Sequence, residues 1–195
     1  LFIHPHYLAY FNQIAGGPRR GAEHLIDSNL DWGQDLVNLQ RWLGDNAPGE
    51  RVGLAYFGQI HPNLLASGGG GRGRLASPGI DWFLPAARPN SLRSLYEPVN
   101  QYRPERPITP GLYAISASLV KGLPWRLYDP EPPWRLDPAA RVRIYPAWSA
   151  GEQGCSYFQQ LTPIATIGHS IWIYRVGEAE VRRLADVWRG LNEPR

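Results

Sequence analysis

A nearly continuous apolar run at 52–57 constrains the fold of this chain more than any other segment. Its length suits a strand, and its lack of alternation predicts burial on both faces, as in a parallel sheet. The segment before it, 32–45, has the i, i+4, i+7, i+11 spacing of an amphipathic helix. The apolar stripe of that helix is Trp32, Leu36, Leu39 and Leu43. A short strand at 24–26 precedes the helix, so the order predicts a right-handed βαβ unit.

The second half of the chain predicts the rest of the sheet. A strand at 112–117 leads into a turn or short helix, and strands at 164–167 and 171–176 form a hairpin around Gly168-His169. Residues 178–191 form a last helix with one apolar stripe. We therefore expect an α/β fold: a three-layer domain with a mixed sheet built on a βαβ unit, a C-terminal antiparallel hairpin and a closing helix.

Glycine and proline divide the chain into regions. Residues 4–15 are predicted to be a short helix, because an aromatic stripe there ends at Gly16-Gly17-Pro18. The stripe fits packing into the core and also a helix near a bilayer, where tyrosine rings favour the interface. On the second interpretation, residues 1–20 are a membrane-proximal helix and linker. Residues 21–195 are predicted to be a single α/β domain with an irregular Gly/Pro-rich excursion at about 67–110. The chain begins at Leu1 and contains no methionine, so we expect it to be a fragment or a processed product.

Charge and cysteine content exclude several classes of protein. The net charge is +3, but the basic residues are scattered, and no recognition helix or RNA-binding motif accompanies them, so we expect no nucleic-acid partner. The single cysteine, Cys155, excludes an intrachain disulfide and a cysteine-only metal site. We expect its thiol to be partly buried and inert. No apolar run approaches the ~18 residues of a membrane span.

The densest polar segment runs from Asp27 to Asp35, between the strand at 24–26 and its helix. Open α/β sheets bind ligands at this carboxyl edge. Carboxylates and amides can bind sugar hydroxyls, and an exposed tryptophan offers a flat apolar face to a sugar ring. The candidate ligand-binding residues of the segment are Asp27, Asn29, Asp31, Trp32, Gln34 and Asp35.

Three interpretations of this segment remain open. The first is structural, with Asn29 or Asp31 capping the helix and Trp32 packed inward. The second is a polar ligand site. The third is calcium, because four side chains occupy positions 1, 3, 5 and 9 of an EF-type loop. However, the glycine is one place late and position 12 is Asn38 instead of a bidentate glutamate, so we predict no metal and no cofactor.

Two further segments end at the same predicted edge. Gln59 and His61 follow the strand at 52–57, and Ser116 stands near the end of the strand at 112–117. We expect them to lie beside the Asp27–Asp35 segment as additional ligand-binding candidates. The simpler alternatives are a loop histidine fixed by the following proline and local capping by Ser116. Since no nucleophile-elbow pattern is present, no catalytic residue is predicted.

Six sequence segments, distributed along most of the chain, carry a resemblance to a known family. They are His4–Asn12, Ala15–Pro18, Asp27–Leu36, Leu54–Gly58, Gly111–Ala117 and Pro163–Val176. Together they resemble the C-terminal region of bacterial multi-pass membrane glycosyltransferases of the polyprenyl-phosphate-dependent GT-C type. These are related to the dolichyl-phosphate-mannose protein mannosyltransferases and the aminoarabinose lipid A transferases. The segment at 27–36 is the most specific, whereas 67–78 has no match and 124–150 matches thinly.

The resemblance implies a role for the chain within a larger enzyme. The family's catalytic carboxylates lie in loops between transmembrane helices that are not part of this chain, so no catalytic residue is carried over. The chain would be a soluble extracytoplasmic domain at the outer face of the bacterial cytoplasmic membrane. Its expected partners are the N-terminal transmembrane region of the same protein and a glycan or lipid-linked sugar. Two other classes remain open: an independent soluble sugar- or nucleotide-binding protein with a site at Asp27–Asp35, and a structural cap without ligand.

Overall fold

The structure is a computed structural model. It describes residues 17, 23, 34–58, 62, 80–87, 107–128, 135–137, 142–144, 147–150 and 154–192, with the backbone alone at 126, 128, 135–137, 142–144, 147–150 and 189–192. The helix predicted at 4–15, the strand predicted at 24–26 and most of the excursion at 67–110 lie outside these residues.

The main sheet and its helices follow the predicted order. Helix α1 is Leu36–Asn46, and it is followed by strands β1, Val52–Ala55, and β2, Trp82–Phe83. Strand β3, Gly111–Ser116, runs directly into the short helix α2, Ala117–Val120. Near the C-terminus, a 3₁₀ helix at Ser156–Gln160 precedes strand β8 (Ala165–Ile167), strand β9 (Ile171–Val176) and helix α3 (Glu178–Asn192). Strands β4 to β7 lie between α2 and the 3₁₀ helix and belong to two smaller sheets.

Five strands form one mixed sheet in the order β2-β1-β3-β9-β8. Strand β1 pairs in parallel with β2 on one side and β3 on the other, with Val52 opposite both Trp82 and Leu112. Strand β9 pairs antiparallel with both β3 and β8. Every residue of β1 is buried, as its continuous apolar run predicted for a strand in a parallel arrangement.

The two faces of the sheet bury separate cores. On one face, α1 packs its buried stripe of Leu36, Leu39 and Leu43 against a core that includes Leu54 and Leu112. On the other face, Leu184 and Trp188 of α3 join a second core. That core also contains Tyr113, Ile115, Phe158 and Tyr174. The period-two alternation along β3 divides its side chains between the two cores. The α/β class and the three-layer arrangement are therefore confirmed.

Residues 124–150 contain more regular structure than the sequence predicted. Strand β4, Trp125–Tyr128, pairs antiparallel with β7, Ala147–Ala150. Strand β5, Arg135–Asp137, pairs antiparallel with β6, Val142–Ile144. The sequence at 141–145 is typical of a weak strand, and β6 lies within it. The others are three or four residues long and lie among prolines, so they carry no readable alternation.

Within the described residues, every helix is too short or too polar to cross a membrane.

Candidate functional site

The structure describes three of the predicted binding residues: Gln34, Asp35 and Ser116. Gln34 is exposed, whereas Asp35 and Ser116 are fully buried. The other candidates lie outside the described residues, so their role in binding stays a prediction. They are Asp27, Asn29, Asp31, Trp32, Gln59 and His61.

The carboxylate of Asp35 joins the start of α1 to the hairpin between β8 and β9. Its Oδ2 accepts a hydrogen bond from Ser170 Oγ at 2.7 Å, and its Oδ1 accepts one from Asn38 Nδ2 at 3.1 Å. The main-chain carbonyl of Asp35 accepts the helical bond from the Leu39 N–H at 2.8 Å, but its side chain caps no helical N–H. The described helix begins at Leu36, later than the predicted start near residue 32.

The hairpin turn beside Asp35 is tight. The Ser170 N–H donates to the Ile167 carbonyl at 3.1 Å, and Gly168 and His169 have φ values of +55° and +74°. Positive φ angles at both central residues are what a type I′ hairpin turn requires. A Cβ at Gly168 would lie 1.8 Å from Asp35 Oδ1, so the carboxylate occupies the space that any other residue would need. The predicted position of the hairpin is confirmed.

Ser116 links the ends of the parallel strands. Its Oγ accepts a hydrogen bond from the Phe57 N–H at 2.8 Å, just beyond the end of β1. The next residue, Ala117, donates its N–H to the Ser170 carbonyl at 2.8 Å. Ser116 makes no side-chain cap at the start of α2, so the capping alternative for this residue is wrong. The serine binds a neighbouring strand instead of its own helix.

We call Asp35, Asn38, Ser116 and Ser170, with the main-chain groups they bind, the edge network. It lies at the carboxyl end of β1 and β3, where the sequence predicted a polar site. Asp35, Ser116 and Ser170 have no exposed surface. A hydrogen bond to a buried charged group contributes about 1.5–3 kcal/mol, and a ligand would have to break such bonds to reach these side chains. This part of the edge therefore holds the sheet and the helix together.

Sequence reasoning missed Ser170 and Asn38 as members of this network. Ser170 lies 135 positions from Asp35 in the chain, and no local pattern reports a contact at that separation. The only available signal was the turn chemistry around Gly168-His169. It indicated where the hairpin lies, but not that Asp35 packs against it.

Burial suppresses the ionisation of the described thiol and of two tyrosines. Cys155 is fully buried, whereas the sequence predicted partial burial. Burial raises the pKa of its thiol to about 12, so the thiol stays protonated at neutral pH, in agreement with the inert character predicted for it. Burial, followed by the nearby Cys155, raises the pKa of Tyr157 well above its usual value. Its hydroxyl donates to the Ala86 carbonyl at 2.7 Å. Burial also raises the pKa of Tyr174. None of the three is poised as a nucleophile at neutral pH.

Among the described residues, one apolar pocket lies beside the end of β1. Its lining is Leu54, Tyr56, Pro62, Trp82 and Leu127. Its volume of about 10 Å³ has room for roughly one water molecule, far below the ~300–1,000 Å³ of a small-molecule site. No metal-ligating group of three His, Cys, Asp or Glu side chains occurs among the described residues. The absence of calcium stays a prediction, because Asp27, Asn29 and Asp31 lie outside that part of the chain.

The fold and its edge define an α/β domain with a mixed sheet and a buried polar network. In the comparisons with known proteins, no family model, no curated protein and no solved structure matches this chain.

Proposed function

We propose that this chain is the extracytoplasmic C-terminal domain of a bacterial membrane glycosyltransferase that uses a polyprenyl-phosphate-linked sugar. In the whole enzyme, the domain positions the acceptor, the lipid carrier or the neighbouring membrane part. The observation that carries this proposal is the edge network. All of its side chains except Asn38 come from segments that resemble this enzyme family.

The network brings together residues from four such segments. Asp35 comes from the segment at 27–36, Phe57 from 54–58, Ser116 from 111–117 and Ser170 from 163–176. Hydrogen bonds of 2.7–2.8 Å join Asp35 to Ser170 and Ser116 to Phe57, and the Ala117 N–H bonds to the Ser170 carbonyl. The segments at 54–58, 111–117 and 163–176 overlap strands that are neighbours in the sheet, and Asp35 connects the segment at 27–36 to them. Their contact supports the view that the segments form one structural signature.

The burial of the network supports a role in architecture over a role in chemistry. Asp35 and the two serines have no exposed surface, and the Cys155 thiol is protonated at neutral pH. A domain built in this way can hold a binding surface in position while the membrane region performs the transfer. The proposed location is the outer face of the cytoplasmic membrane.

The decisive experiment compares the whole encoded protein with the isolated 195-residue chain. Membranes containing the whole protein should transfer sugar from a polyprenyl-phosphate donor to an acceptor, whereas the purified chain should transfer none. Sugar transfer by the purified chain would overturn the proposal. So would a reading frame that opens with a methionine close before Leu1 and encodes no hydrophobic spans.

A structural cap without ligand is the second candidate, and the complete burial of Asp35 favours it. Calorimetric titration of the purified chain with simple sugars, a nucleotide sugar and a polyprenyl-phosphate sugar separates the candidates. Binding of the lipid-linked sugar that weakens in Gln34→Ala supports a positioning role, because Gln34 is exposed beside the network. Binding of the nucleotide sugar alone would favour an independent soluble binding protein. No binding in any titration favours the cap.

A further inference from the structure

We draw no further inference here: the strongest candidate, the surface patch of Ile164, Thr166 and Trp172 beside Lys121 at the edge strand β8, carries nothing because nothing in the structure shows what covers it.

Discussion

The second core, which packs beneath α3, contains Tyr113, Tyr157, Phe158 and Tyr174, and we call it the aromatic core. The aromatic core and the edge network stabilise the same sheet through different kinds of interaction. In the aromatic core, Phe158 lies 4.5–5.4 Å, between ring centroids, from Tyr157, Tyr174 and Tyr113. Its stabilisation comes from buried apolar area that is shared among many contacts, so it does not depend on the direction of any single contact. At the edge, a few hydrogen bonds connect segments that are distant in the chain. The core should therefore tolerate changes of similar volume, whereas the edge should respond to the loss of one atom or the addition of one.

The largest effect is expected in the aromatic core for Phe158→Ala. Phe158 is fully buried and its ring contacts three others, so its removal loses apolar burial and leaves a cavity. The free energy of unfolding should fall by about 3–5 kcal/mol, measured by urea denaturation followed by circular dichroism. Phe158→Leu keeps most of the apolar volume and should cost clearly less. Equal losses for the two variants would contradict stabilisation by distributed area.

The second effect tests the edge by adding one methyl group, in Gly168→Ala. The new Cβ would overlap the Asp35 carboxylate at 1.8–2.1 Å, and the φ of +55° disfavours any side chain. Overlap costs about 1–3 kcal/mol and the left-handed backbone about 1–2 kcal/mol, so unfolding should become easier by about 2–5 kcal/mol.

Gly49→Ala is the matched control for this substitution. Gly49 also has a positive φ, +74°, but a Cβ there would meet nothing within 4 Å. Its loss should be limited to the backbone cost of about 1–2 kcal/mol. If both alanine variants lose the same stability, the Asp35 carboxylate does not restrict the turn.

The third effect removes the carboxylate, in Asp35→Ala. The Ser170 hydroxyl and the Asn38 amide lose a charged acceptor in a buried site, so the expected loss is about 1.5–3 kcal/mol. Asp45→Ala, on the exposed surface of the same helix, should change stability by less than about 0.5 kcal/mol. A double-mutant cycle with Ser170→Ala should give a coupling of at least about 1 kcal/mol. Additive losses would mean that this hydrogen bond does not join the helix to the hairpin.

The fourth effect concerns the link between β1 and β3, in Ser116→Ala. The Phe57 N–H loses its acceptor in a buried environment, which should cost about 1–2 kcal/mol. Amide hydrogen exchange at Phe57 should quicken more than exchange at Leu54 in the strand interior. Unchanged exchange at Phe57 would show that the serine is dispensable for this link.

The smallest effect returns to the aromatic core and depends on pH. The pKa of Cys155 is raised from 9.0 to about 12, so the folded state holds this proton more tightly than the unfolded state does. The contribution of this proton to the free energy of unfolding is therefore fully present below pH 9, and it is lost as the pH rises from 9 toward 12. By pH 10 the loss should be about 1 kcal/mol, measured by urea denaturation at pH 8 and pH 10.

Cys155→Ala should remove this part of the alkaline loss. The variant needs its own measurement at pH 8, because replacing a buried thiol also alters packing. The same fall in stability between pH 8 and pH 10 in both proteins would rule out the thiol as its source. Alkylation provides an independent check, since iodoacetamide should modify Cys155 only after unfolding.

The sequence by itself determined the elements whose signal is local. The apolar run at 52–57 specified a buried strand, the stripe of Leu36, Leu39 and Leu43 specified a helix face, and Gly168-His169 specified a hairpin turn. Periodicity and turn chemistry act over a few residues, so a single sequence displays them. The short strands β4, β5 and β7 escaped prediction because they are too brief to show a period.

Tertiary structure decided how the polar edge is used. The sequence predicted that Asp35 and Ser116 lie at the carboxyl edge, but it left capping, ligand binding and calcium open. Their hydrogen bonds to Ser170 and to the Phe57 N–H cross 135 and 59 positions of the chain. Whether a carboxylate faces solvent or a buried hydroxyl depends on which distant segments pack beside it. That packing is set by the order of the strands in the sheet, and neither composition nor spacing encodes it locally.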